Sequence, residues 1–147
     1  MRDPLLAASR FSFGADYDEL VDKRTGKRFV SDWANRAGGM PSNRDYGYVA
    51  SAIGPAGNHI VVIAGTRDTG LMQAARSAMD PSVLARLDDV SAAGRGVEAL
   101  FAVESMRNTN LGGKLLLSGP LDFAQAWQNG AHREVPMPDQ GPPSSAR

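Results

Sequence analysis

The feature that most constrains the fold is an uninterrupted apolar, largely β-branched run at residues 59–64 (HIVVIA). Turn-forming residues bound it on both sides, with GPAGN at residues 54–58 before it and Gly65 after it. A short apolar run of this kind is typical of a strand that is buried on both faces. The run therefore predicts a strand in the interior of a sheet.

Two helices are predicted after this strand. The first covers residues 71–79, and the second begins after Asp80, because aspartate is favoured at the N-cap and the following Pro81 at the first helical position. An apolar stripe at i, i+1, i+4 and i+7 supports the second helix. Its members are Val83, Leu84, Leu87 and Val90.

Predicted strands flank the two helices. Residues 46–53 and 97–104 alternate in polarity, residues 114–118 return as a short strand, and an upstream hairpin over residues 17–31 turns at Gly26, where we expect a positive φ. The order is β-β-α-α-β-β, preceded by a hairpin. It predicts an α/β (α+β) fold in which a mixed sheet of hairpins flanks a two-helix insert.

The chain length fits a single domain. Its 147 residues match the usual domain size of about 100–200 residues. We expect one α/β domain over residues 1–129, ending in a short helix at residues 121–128. Residues 130–147, which are polar and contain four of the nine prolines, are expected to form a flexible tail.

Charge and composition exclude several function classes. Sixteen basic and sixteen acidic residues cancel, so no overall positive charge favours nucleic acid or an anionic membrane. The absence of cysteine excludes thiol catalysis and thiolate metal sites. The longest apolar run is far shorter than the roughly 18 residues of a membrane span, and no signal peptide is evident. We therefore expect a cytoplasmic protein with no membrane or nucleic-acid partner.

The turn between the apolar strand and the first helix is the candidate binding site. A strand that runs into a helix N-terminus presents unpaired backbone N–H groups and a partial positive charge of about +0.5, which favour an anion. The candidate ligand-binding residues are Gly65, Thr66, Arg67, Asp68, Thr69 and Gly70. The alternative is that the glycines only turn the chain while Asp68 or Thr69 caps the helix. The sequence here is neither GxGxxG nor a P-loop.

No catalytic residue, metal site or cofactor is assigned. His59 has no serine or aspartate at a recognisable triad spacing, so a structural or solvent-facing histidine is the simpler interpretation. The acidic residues of the upstream hairpin lack a metal-binding spacing and are expected to be solvated. Three aromatic residues around the loop at residues 33–44 are expected to be core or rim residues rather than pocket walls: Trp33, Tyr46 and Tyr48.

Three segments together resemble an uncharacterised bacterial domain. They are residues 45–48 (DYGY), 57–66 (GNHIVVIAGT) and 98–104 (EALFAVE), and the likeness covers roughly residues 11–117. That domain resembles the C-terminal part of helix-turn-helix and winged-helix regulators. The resemblance implies a regulatory domain without its DNA-binding module and without an upstream strand that larger relatives contain. It carries over neither a DNA-binding role nor functional residues.

These observations favour a non-catalytic small-ligand or partner-binding domain of a bacterial regulatory system. The alternative is a small hydrolase or transferase that acts on an anionic substrate with His59, Arg67 and Asp68. That alternative requires the three side chains to converge, although a strand of about 3.3 Å per residue separates the first two by more than roughly 20 Å. A sheet that lacks a strand exposes its edge, which either residues 5–13 fill or a second copy covers, and we expect a two-fold homodimer joined through a sheet edge or an apolar sheet face.

Overall fold

Seven strands form two antiparallel sheets within the part of the chain that the computed structural model describes. The described residues are 4–35, 42–54, 56–88, 91, 96–106 and 109–121. The elements are α1 (Pro4–Ala8), β1 (Phe11–Phe13), β2 (Glu19–Asp22), β3 (Arg28–Val30), a 3-10 helix (Asp32–Asn35), β4 (Ser42–Ile53), β5 (His59–Gly65), α2 (Asp68–Ser77), α3 (Pro81–Asp88), β6 (Gly96–Met106) and β7 (Thr109–Pro120).

The predicted element order is confirmed. Strands β4 and β5, helices α2 and α3, and strands β6 and β7 follow one another as β-β-α-α-β-β, preceded by the hairpin of β2 and β3. The result is a single α+β domain in which strands predominate. The predicted helix at residues 121–128 falls outside the described residues except for Leu121, and the predicted tail lies outside them entirely.

The smaller sheet has the order β1-β2-β3. Its hairpin turns at Gly26 with φ 72°, as the sequence predicts, because glycine adopts positive φ without a steric cost. Phe11 pairs with Asp22 at the start of the ladder between β1 and β2. The N-terminal segment therefore extends the smaller sheet rather than filling a gap in the larger one.

Among the described strands, the larger sheet has the order β5-β4-β6-β7, so β5 is an edge strand. The prediction that residues 59–64 are buried on both faces is wrong, since Val61 is 55% exposed and Ile63 is 39% exposed. The strands buried on both sides are β4 and β6, whose central residues include Val49 and Leu100. β-Branched residues favour any pleated, half-buried strand, so their run did not distinguish an edge from an interior position.

The domain has three layers, with the larger sheet in the middle. On one face, Phe11, Leu20 and Phe29 of the smaller sheet pack against Tyr48 and Leu100. On the other face, the helices cover a second core, whose members include Val49, Ala74, Leu87, Ala99 and Phe101. The aromatic residues Tyr46 and Tyr48 are core residues, with exposures of 9% and 1%.

The predicted N-cap residue is confirmed for helix α3 but not for helix α2. Asp80 accepts hydrogen bonds from the Ser82 backbone N–H and hydroxyl, which confirms it as the cap of α3. Helix α2 instead has Arg67 at its N-cap with no side-chain cap hydrogen bond, so the predicted cap by Asp68 or Thr69 is wrong. Among the described residues, no helix has the length and apolar character needed to cross a membrane.

Candidate functional site

The turn at residues 65–70 is bound tightly to strand β4. The Thr66 backbone N–H donates to the Tyr46 carbonyl at 2.9 Å, and the Tyr46 N–H donates to Thr66 Oγ1 at 3.1 Å. Thr66 is only 3% exposed. Its hydroxyl thus extends the strand pairing beyond the end of β5.

Asp45 connects this turn to the smaller sheet. Its carboxylate is fully buried and accepts a hydrogen bond from Ser31 Oγ at 2.6 Å and another from the Thr69 hydroxyl. Ser31 directly follows β3, and Thr69 lies in the first turn of α2. One carboxylate on the central strand therefore joins all three layers, because buried carboxylates need donors from their surroundings.

Glycines bring α2 into close contact with β4. A Cβ atom on Gly70 would lie 2.4 Å from the Tyr46 carbonyl oxygen, and one on Gly47 would lie 2.6 Å from the Gly70 carbonyl oxygen. Neither distance is compatible with a side chain. The DYG segment at residues 45–47 and the turn at residues 65–70 thus pack backbone against backbone, and each needs a glycine at the contact.

The two charged residues of the turn are solvent exposed. Arg67 forms an ion pair with Asp18 at 2.5 Å, and Asp68 places a negative charge in the first turn of α2. That carboxylate already complements the partial positive charge of the helix N-terminus. The six candidate residues therefore have structural contacts in this arrangement, and anion binding at the turn stays a prediction.

A second buried polar group lies between the two sheets. Ser9 Oγ donates to Glu98 Oε2 at 2.7 Å, and the Tyr48 hydroxyl lies 2.9 Å from both the Ser9 hydroxyl and Glu98 Oε2. The Arg10 backbone N–H donates to both Glu98 oxygens. Burial and the negative charge of Glu98 raise the pKa of Tyr48, so its phenol stays protonated and remains a donor. We name these residues, Ser9, Tyr48 and Glu98, the inter-sheet cluster.

Asp22 shows that the hairpin carboxylates are not simply solvated. Its carboxylate accepts two hydrogen bonds from the Arg10 guanidinium and others from Thr25 and the Arg24 N–H, and its side chain is 2% exposed. The Arg10 guanidinium holds the pKa of Asp22 well below its usual range. The expectation of a solvated hairpin face is therefore wrong here, because a cation distant in sequence reaches the turn.

The proposed enzymatic triplet does not converge. His59 lines a cavity of about 240 Å³ beside α3, together with Ser51, Asp88 and Ser91. Arg67 instead pairs with Asp18 beyond the far end of β5. Within the described part of the chain, no hydrogen bond links the side chains of these four cavity residues to one another.

A wider cleft opens between the hairpin of β2 and β3 and the larger sheet. It measures about 730 Å³ and is lined by four cationic side chains and one acidic one. These are Lys27, Arg28, Arg44, Lys114 and Glu104. Their grouping is not visible in the sequence, because they come from one turn and four strands and the neutral total charge conceals it.

Comparison of the chain with protein-family models, with curated proteins and with solved structures finds no match to any of them.

Proposed function

We propose that this chain is a non-catalytic binding domain that associates with a second copy of itself through the open edge of β5. The observation that carries the proposal is the character of that edge. Strand β5 has seven residues, HIVVIAG, with no carboxylate, lysine, arginine or proline, and it exposes Val61 and Ile63. Such an edge presents unpaired backbone groups beside apolar side chains, and proteins usually pair or cover it with another element or another chain.

The opposite edge of the same sheet is protected. Strand β7 contains Lys114 and ends at Pro120, and its pairing with β6 shifts register at two places. Charges, prolines and bulges are the devices by which native edge strands avoid pairing with another chain. The contrast between the two edges supports β5 as the one that is used.

Antiparallel pairing of β5 with itself suits its sequence. A two-fold axis at Val62 places Val61 of one copy opposite Ile63 of the other and His59 opposite Gly65, so no like charges face each other. Exposed Ile53 and Leu84, which are 42% and 40% exposed, extend the apolar surface on the side of Val61. The interface is closed and isologous, which limits assembly to a dimer.

The buried polar groups favour a binding role over a catalytic one. Asp22, Asp45 and Glu98 each have donors from neighbouring side chains or backbone and are directed into the packed interior rather than into a cleft. Together with the resemblance to bacterial regulators, this supports a regulatory domain that acts in the cytoplasm by binding partners or small ligands.

Light scattering tests the dimer directly. At micromolar concentrations we expect a mass of twice 15.6 kDa, and a single Val61→Lys substitution should return the chain to the monomer mass, since it places a charged side chain opposite Ile63 of the second copy. Leu111→Lys is the matched control, because Leu111 is 58% exposed on the opposite edge strand and should leave the dimer intact. A concentration-independent mass of 15.6 kDa for the unmodified chain would overturn the proposal.

A further inference from the structure

The cleft between the hairpin of β2 and β3 and the larger sheet has the size of a small-molecule site. Its volume is about 730 Å³, within the range of roughly 300–1,000 Å³ that is typical of ligand pockets. Tyr46 and Ala102, neighbours on β4 and β6, line it together with Phe29 of β3. The buried rings of Phe29 and Tyr46 pack edge to face at 5.4 Å, so these two lining residues are held by the core.

Positive charge is concentrated at the cleft, although the chain as a whole is neutral. Four of its sixteen basic residues line this one cleft, against a single acidic residue, Glu104. Arg28 pairs with Glu19 at 2.5 Å, and the Lys27 ammonium lies 5.1 Å from the centroid of the Phe29 ring. The cleft therefore has an excess of positive charge that its own lining does not neutralise.

Arg44 and Lys114 are the cations left for a ligand. Both are exposed, and neither forms an ion pair within the described ranges of the chain. They lie on β4 and β7, on opposite sides of β6, and Glu104 is the cross-strand neighbour of Arg44 without forming an ion pair with it. Two unpaired cations that approach one cleft from different strands favour a polyanion rather than a single charge.

Apolar side chains border the same cleft. Leu111 is 58% exposed and Leu116 is 37% exposed, and both belong to β7 beside Lys114. An exposed apolar pair next to unpaired cations is typical of a site that takes an organic anion, since each part of such a ligand has its own surface.

We infer that this cleft binds a small phosphorylated organic molecule. Its phosphates interact with Arg44 and Lys114, and its apolar part lies against Leu111 and Leu116. A guanidinium matches phosphate oxygens in a bidentate geometry, and a lysine adds a compact charge, which together suit a diphosphate. The site goes beyond the proposed self-association and does not depend on it, because the cleft borders β7 and the proposed interface is at β5, the opposite edge.

Isothermal titration calorimetry tests the inference with two probes, inorganic pyrophosphate and adenosine diphosphate. We expect saturable binding of both, tighter for the nucleotide because it adds apolar contact, and weaker for both as salt concentration rises. The double variant Arg44→Gln/Lys114→Gln should weaken both probes by about tenfold or more, because charge-assisted hydrogen bonds are lost. Both positions are exposed, so the melting temperature should stay unchanged.

The matched control is Arg76→Gln/Arg86→Gln, which removes two exposed cations from α2 and α3 that do not line the cleft. We expect affinities within about twofold of the unmodified chain, since long-range charge effects are screened. Absence of saturable binding for both probes, or equal weakening by the two double variants, would overturn the site. Equal affinity for pyrophosphate and the nucleotide would overturn the role of Leu111 and Leu116 as the apolar contact. The Val61→Lys variant should bind both probes normally, which separates this test from that of the dimer.

Discussion

At the scale of single residues, three buried carboxylates determine much of the internal geometry. Asp22, Asp45 and Glu98 are 1%, 0% and 3% exposed. Each accepts hydrogen bonds from residues outside its own strand, and removal of such donors leaves an acceptor buried without compensation. These residues therefore orient the elements with a specificity that apolar packing alone lacks.

The pair of Arg10 and Asp22 predicts a dependence of stability on pH. Because the pKa of Asp22 is lowered in the folded chain, its contribution is complete above the unfolded value of about 3.9 and is lost as the pH falls further. We expect Asp22→Asn to lower the free energy of unfolding at neutral pH by about 2–3 kcal/mol and to flatten its decline in acid. Urea denaturation from neutral pH down into the acid range measures both effects.

Asp16→Asn serves as the control for this series, because Asp16 is an exposed carboxylate of the same hairpin region. This variant should change neither the free energy of unfolding at neutral pH nor the decline of that free energy in acid. An Asp22→Asn protein with an unchanged acid decline would contradict the role of the ion pair.

At the scale of elements, helix α2 lies as close to β4 as backbone atoms allow. Gly47 and Gly70 face each other across this contact, and Ala74 packs beside Gly47 with complete burial. Thr66 and Thr69 add hydrogen bonds to Tyr46 and Asp45 at the start of the helix. The helix is thus positioned by small residues and hydroxyls rather than by a capping side chain.

A methyl group at Gly70 should therefore disrupt this contact. In Gly70→Ala the Cβ atom meets the Tyr46 carbonyl oxygen, which is backbone and cannot move aside cheaply. We expect a loss of about 1–3 kcal/mol in the free energy of unfolding, measured by urea denaturation. Gly119→Ala is the matched control, since a Cβ atom there meets nothing within 4 Å, and its stability should change by less than about 0.5 kcal/mol.

At the scale of the whole molecule, the inter-sheet cluster joins the N-terminal segment to the larger sheet. Glu98 on β6 and Tyr48 on β4 bind Ser9, which lies two residues before β1 of the smaller sheet. Phe11 then packs edge to face on Tyr48 with ring centroids 5.8 Å apart. Ser9 is thereby tied to a strand almost ninety positions later, which closes the core between the sheets.

Tyr48→Phe tests this connection. The ring and its packing remain, but the hydroxyl that contacts Ser9 and Glu98 is lost, so we expect destabilisation by about 1–3 kcal/mol. Hydrogen exchange should increase most for amides of β1 and β2, since these strands depend on the N-terminal connection. Tyr17→Phe, at a side chain that is 70% exposed, should change neither measurement. Equal exchange in the two variants would show that the cluster does not hold the sheets together.

The order of the elements along the chain could be predicted from local patterns, whereas the elements that lie beside one another in the fold could not. Alternation predicted β6, Gly26 predicted the hairpin turn, and Asp80-Pro81 predicted the start of α3, because each signal depends on residues close together in the chain. The candidate turn at residues 65–70 was located correctly as the passage from β5 to α2. Its contacts with Asp45 and Tyr46 depend on strand pairing, which the local pattern does not contain.

The sequence by itself determined the type and order of the strands and α-helices from β2 to β7, since periodicity and turn residues act over a few positions, but it placed the starts of β4 and β7 too late in the chain. Only the tertiary structure decided that the most apolar strand, β5, lies at an edge and that α2 is held by glycines on β4. It also decided that Arg44 and Lys114 border one cleft. The physical reason is that strand order, burial and charge grouping arise from contacts between segments far apart in the chain, and a single sequence does not record those contacts as a local pattern.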